Sequence, residues 1–135
     1  MPPLTPEYQA VTYAAAFTGL IWIPIIVNRL AEMGPWKALS NPQPDVRPHA
    51  DWAYRLANAH RNAIENLVVF APLAIIVGLL ERGDGLTAAA GSAFVISRVA
   101  HAVIYTLGVP LLRTIAFVVG FGAQAVMALR VLGVL

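Results

Sequence analysis

The chain contains no cysteine, so it can form no disulfide, offers no thiolate nucleophile of its own and builds no cysteine metal site. Any thiol chemistry must use a thiol brought from outside. Charge is scarce as well: 12% of the 135 residues are charged against 59% hydrophobic, and the mean hydropathy is +0.69. A water-facing surface needs about 25% charge, so this composition places the chain in a bilayer. The formal net charge is +2, but the basic residues are dispersed among apolar segments and form no stripe, which argues against a nucleic-acid partner. The start, MPPLTPEY, lacks the basic n-region of a cleaved signal peptide, and the first apolar segment is expected to remain as an anchor. No metal site is expected.

Tyr8 to Asn28 is a run of 21 residues without a formal charge, and at about 1.5 Å per residue it crosses a hydrocarbon core of roughly 30 Å. The first helix is therefore expected over about 8–33, with a kink at Pro24 and a small-residue pair, Ala15 and Gly19, on which another helix can close. Residues 34–50 hold four of the ten prolines, a composition that reads as one long loop unable to continue a helix. Trp36 and Trp52 flank this loop and Trp22 precedes it, as membrane-belt residues do. A polar half from Asp51 to Asn66 then runs without a charge-rich or glycine break into an apolar half, 67–80, giving one long second helix over about 49–80. Residues 81–85 form a polar turn. The third and fourth helices are expected over about 86–107 and 111–134, joined by Gly108, Val109 and Pro110. The architecture is thus all-α, a single membrane domain over 1–135 built as a four-helix up-down bundle. Ala116, Gly120, Gln124 and Ala128 give the fourth helix a narrow packing seam.

Arg29, Lys37, Arg47 and Arg55 gather around the first loop and Arg113 lies by the third connection, which predicts that both sit on the cytoplasmic side and both termini face away from it. On the second helix Arg55, Asn58, Asn62, Glu65 and Val69 recur at steps of three and four, with Arg61 able to reach Glu65 at i+4. Arg98, His101 and Tyr105 repeat the device on the third helix, and Arg113 with Thr114 opens the fourth. Ionisable groups at membrane depth face a bundle interior or a wet cavity. Together these residues suit a small ligand carrying carboxylates and amides, with a lipophilic second substrate arriving from the bilayer.

The runs NAHRNAIENLVVFAPLA, 58–74, and SRVAHAVIYTLGVPLLRTIAFVVGFGAQAVMALRVL, 97–132, resemble the MAPEG family, membrane-associated proteins in eicosanoid and glutathione metabolism. The paired signals HRNxxE and RVAHxxxY, in order and each on the expected helix, carry the resemblance. It implies a homotrimer in which glutathione lies between neighbouring subunits near the cytoplasmic face. It also implies that Arg61, Asn62 and Glu65, with Arg29 as a further contributor, hold the charged and amide groups of the tripeptide. His101 and Tyr105 match the family's glutathione contacts, Arg98 supports the pocket wall, and Arg113 matches the arginine placed at the glutathione sulfur, with Thr114 beside it. Membrane lipids are the surroundings, and a bacterial-type inner membrane is the expected location.

Two positions depart from the family's pattern: Asn58 stands where many members carry an arginine, and Phe117 where several carry a tyrosine. Simpler readings compete for the same residues. Arg61 and Glu65 can neutralise each other as an intrahelical ion pair, and Arg113 can be a helix-start anchor, although a cation there opposes the helix dipole and calls for an anion. Gln124 reads as packing. The sequence therefore carries two functional expectations: a glutathione transferase or peroxidase acting on lipophilic electrophiles or hydroperoxides, and a non-catalytic scaffold, lipid-binding or accessory subunit on the same fold.

Overall fold

The computed structural model describes Met1, residues 3–42 and residues 50–135. Arg47 and His49 lie outside the described residues. The chain forms α1 (Pro6–Leu20), α2 (Trp22–Met33), α3 (Pro35–Leu39), α4 (Asp51–Leu79), α5 (Gly85–Leu107) and α6 (Pro110–Val131), with no strand among the described residues. Four spans are long and apolar enough to cross a membrane: α1 with α2, α4, α5 and α6. The chain is an all-α integral membrane bundle.

Local chemistry sets the helix ends. Thr5 accepts from the backbone N–H of Tyr8 and Pro6 occupies the first helical position, where its missing N–H costs nothing. The first span breaks at Ile21 rather than at Pro24 itself. Pro24 cannot donate to the carbonyl of Leu20, four residues back, and its ring crowds that carbonyl, so the disturbance falls one turn earlier. The proline-rich loop also holds a short helix, α3, which corrects the expectation of a stretch without helix. Pro35 stands at its start, the one place where proline favours a helix. Asp84 caps α5 by accepting from the N–H groups of Leu86 and Thr87, while Thr87 reciprocates to the N–H of Asp84. Gly108 ends α5 in the left-handed region at φ 78°, a conformation glycine adopts without strain, and Pro110 opens α6.

Helices α5 and α6 share the most extensive contact, and α4 packs on both. Near the termini the core is apolar: Phe70 and Phe94 stack with centroids 3.8 Å apart, surrounded by Ala10, Ala14, Val77 and Met127. Lipid is as apolar as these side chains, so close packing rather than water exclusion holds them, and small residues decide how near the helices come. The buried seam of α1 is Ala10, Ala14 and Thr18, whereas Ala15 and Gly19 face outward. A Cβ on Gly91 would lie 2.9 Å from that of Ala10, so α1 and α5 meet there at glycine distance. A second apolar cluster, Ile25, Leu56, Ala59 and Ala102, fills the end beside the long loop. Between the two clusters lies a polar layer contributed by Asn62, Asn66, Ser97, Arg98, His101 and Gln124.

Candidate functional site

Arg98 sits in that layer at 2% exposure. Its Nη1 donates to Asn62 Oδ1 at 2.8 Å, its Nη2 to the carbonyl of Ala116 at 3.2 Å and its Nε to Ser97 Oγ at 3.5 Å. The faces of Phe94 and Phe117 lie 5.7 and 5.8 Å from the guanidinium carbon. No carboxylate among the described residues pairs with it. A buried cation held by neutral acceptors and aromatic rings keeps its full charge uncompensated and so favours an anion nearby. Gly120 makes this arrangement possible, because a Cβ there would fall 2.6 Å from Nη2 and 2.9 Å from Ser97 Oγ.

One turn from Arg98, an open cleft of about 220 Å³ is lined by His101 and Tyr105 of α5 and by Arg113, Thr114 and Phe117 of α6. The i, i+4 spacing puts His101 and Tyr105 on one face, where their rings meet edge to face at 5.5 Å. The guanidinium carbon of Arg113 lies 4.6 Å over the Tyr105 ring, a stacking that fixes the direction of the charge without neutralising it. Arg113 has no ion-pair partner among the described residues. Thr114 is exposed and donates to the carbonyl of Pro110 at 3.3 Å. The cleft therefore offers one oriented cation, an imidazole, a phenol and a hydroxyl against an apolar ring.

Arg61 and Glu65 do not reach this cleft. Both are exposed on the outer face of α4 with Asn58, and no ion pair joins them among the described residues. The intrahelical pair allowed by their spacing is not formed. Asn62 turns inward instead, to Arg98 and to Asn66. Arg29 donates from Nε to the carbonyl of Ala38, joining α2 to α3, and does not line the cleft. Arg55 likewise meets the carbonyl of Thr106 at 2.8 Å. The single chain thus gathers His101, Tyr105, Arg113 and Thr114, and leaves Arg61 and Glu65 on a separate outer stripe.

Asn66 and Gln124 were missed as site-related residues. Gln124 Nε2 donates to Asn66 Oδ1 at 2.8 Å, which makes it a bonded member of the polar layer rather than packing alone. The signal was present in the i, i+4 repeat of asparagine at 62 and 66, opposite the one amide of the α6 seam. Among the described residues no group of histidine and carboxylate side chains is arranged to hold a metal ion.

No curated protein sequence matches the chain closely enough to count as a relative. The model of the MAPEG family matches residues 9–133, nearly the whole bundle and all of the polar layer, and the chain therefore belongs to the MAPEG family.

Proposed function

We propose that the protein is a glutathione-dependent membrane enzyme, a transferase or peroxidase, in which Arg113 holds the thiol of glutathione as thiolate. The observation that carries this reading is the unpaired Arg113 guanidinium, stacked on Tyr105 at the mouth of a cleft shared with His101 and Thr114. A free thiol titrates near pH 8.5, and a guanidinium within hydrogen-bond reach favours its anion. Arginine suits the task because its charge persists at every working pH, and the surrounding low dielectric strengthens its pull. Bound glutathione would supply the nucleophilic sulfur, and a lipophilic electrophile or hydroperoxide arriving from the bilayer its target. Tyr105 keeps the guanidinium oriented, Thr114 offers a second hydroxyl at the same rim, and the apolar face of Phe117 excludes water.

The outer stripe of α4 completes the proposal. Arg61 and Glu65 lie well inside a helix about 43 Å long, at a depth where an unpaired charge facing lipid costs several kcal/mol. Coverage by neighbouring copies in a homotrimer removes that cost and places Arg61, Asn62 and Glu65 where they can hold the charged ends of glutathione between subunits. Arg29 is assigned a supporting part at that interface. By the basic residues around the loop and Arg113, this end faces the cytoplasm of a bacterial-type inner membrane.

The direct test is the ultraviolet thiolate absorbance of glutathione added to the purified protein in detergent at neutral pH. The band is expected with the native chain and lost in Arg113→Ala. No band with the native chain, or an equal band in the variant, overturns the reading. Phe117 and Asn58 favour the second reading, a non-catalytic subunit on the same fold, since Asn58 supplies no cation for a carboxylate of the tripeptide and Phe117 supplies no hydroxyl. That reading requires glutathione to leave the thermal stability unchanged.

A further inference from the structure

Amide orientation in the polar layer is fixed by neighbours that can only donate or only accept. Arg98 has no acceptor, so the atom of Asn62 it meets at 2.8 Å is Oδ1. The carbonyl of Asn62 has no donor, so the atom of Asn66 that meets it at 2.8 Å is Nδ2, which also reaches Asn62 Oδ1 at 3.3 Å. Asn66 Oδ1 is then left for Gln124, whose Nε2 donates to it at 2.8 Å and lies 3.3 Å from the Asn66 carbonyl. Asn66 and Gln124 are each only 8% exposed, so reversing either amide would set like atoms against each other where no water can intervene.

The consequence falls on Asn62. Both acceptor positions of its Oδ1 are taken, by Arg98 and Asn66, and its Nδ2 has no partner among the described residues. Asn62 is half-buried, next in sequence to the exposed Arg61. We infer that Gln124 and Asn66 form a one-way amide relay that, with Arg98, fixes Asn62 as a donor, so that whatever binds there presents a hydrogen-bond acceptor, a carboxylate or amide oxygen. Gln124 and Asn66 are positioning residues: they touch no ligand, and they set the polarity of the residue that does. The uncompensated Arg98 behind Asn62 adds to that selection by favouring an anionic acceptor over a neutral one.

This inference rests on the glutathione reading only for its choice of probe, and the test separates the two. In the first arm, equilibrium binding of glutathione to the full chain in detergent is compared for the native protein, Gln124→Met, Asn62→Ala and the double variant. Methionine keeps the volume of glutamine and removes its amide. Gln124→Met is expected to weaken glutathione binding about tenfold, the value of one well-placed hydrogen bond to a charged group, and to have no further effect once Asn62 is alanine. Equal losses in both backgrounds would show that Gln124 acts on stability and not through Asn62, and would overturn the relay. Asn62→Asp keeps the oxygen that Arg98 and Asn66 require but exchanges the unpartnered N–H₂ for oxygen. It is expected to fold and to bind glutathione at least as weakly as Asn62→Ala, and native-like binding would also overturn the relay.

The second arm needs no ligand and no variant. Hydrogen exchange of the side-chain amides, read by nuclear magnetic resonance, should find Asn66 and Gln124 protected and Asn62 exchanging freely. A protected Asn62, or a freely exchanging Asn66, defeats the relay. If the native chain binds no glutathione while this pattern holds, the glutathione reading fails and the relay stands.

Discussion

At the end of the bundle that carries both termini, charged side chains bond to other elements of the same chain. Arg130 pairs with Asp84, Arg82 donates to the last carbonyls of α6 at 2.6 and 3.4 Å, and the nearly buried Glu7 meets the hydroxyl of Thr87 at 2.6 Å. At the other end, Arg113, Arg61 and Glu65 have no ionic partner among the described residues, and Arg98 is held by neutral atoms alone. The difference is that at the first end a cation meets a carboxylate of the same chain, Arg130 with Asp84, while Arg82 and Glu7 tie neighbouring elements together through neutral groups. At the second end no carboxylate among the described residues pairs with Arg98 or Arg113. Partnership, not the presence of charge, separates structural ionisable groups from those available to a ligand.

The largest expected effect sharpens this contrast. Arg113→Ala should lower glutathione-dependent turnover about a hundredfold or more, as the loss of one pre-oriented group facing a developing or bound anion does. It should leave the melting temperature nearly unchanged, since no internal ion pair is broken. A parallel fall in melting temperature and activity would place Arg113 with the structural charges instead.

Next in size, Gly120→Ala breaks the contrast from within, by driving a methyl group against Arg98 and Ser97. A loss of about 1–3 kcal/mol is expected from such overpacking, read by chemical or thermal unfolding in detergent, together with weakened glutathione binding as Arg98 releases Asn62. Gly91→Ala at the α1–α5 contact should cost a similar amount of stability and spare binding. Equal effects of the two variants on binding would erase the distinction between the two regions.

Asp84→Asn addresses the self-satisfied end. The N–H of Thr87 holds the Asp84 carboxyl below its usual 3.8; partial loss of hydration opposes this, and the Arg130 guanidinium and the N–H of Leu86 reinforce it. The folded state thus favours the ionised form. The stability this contributes is fully present above pH 3.8 and is lost as pH falls below it through the folded value. Asp84→Asn should lower the melting temperature slightly at neutral pH, flatten that acid-side loss and leave glutathione chemistry intact.

The smallest effect is expected from Phe117→Tyr, which adds a hydroxyl at the cleft rim and should tighten glutathione binding a few-fold, the value of one partly exposed hydrogen bond. Unchanged binding would mean that the ring at 117 contributes only apolar surface.

The four spans were legible because apolar runs of bilayer length are a property of composition and order, independent of what packs beside them. The break between α5 and α6 at Gly108 was legible for the same reason, since helix ends depend on neighbours in the chain, whereas the Asp84 cap and the place of Pro110 inside α6 emerged only from the structure. Helix α3 was not, because a proline-rich stretch tolerates one turn of helix only where proline falls at its start, and only the folded chain shows that it does. The spacing of His101 and Tyr105 announced a shared face, and the structure brings Arg113, already grouped with them by the sequence, over the Tyr105 ring from a different helix. It also separated Arg61 and Glu65 from Asn62, although all three lie on adjacent turns of α4.

Sequence alone determined that this chain lives in a membrane, how many times it can cross, and which polar residues it carries at depth, because lipid tolerates so few arrangements of charge and backbone that pattern becomes diagnosis. Only the tertiary structure decided which of those residues meet. Periodicity gives the face a side chain occupies on its own helix, but the rotation of each helix against its neighbours is set by where glycine and alanine let them approach, as Gly120 does for Arg98. That rotation turned Asn62 inward, left Arg61 outside and set Arg113 over Tyr105.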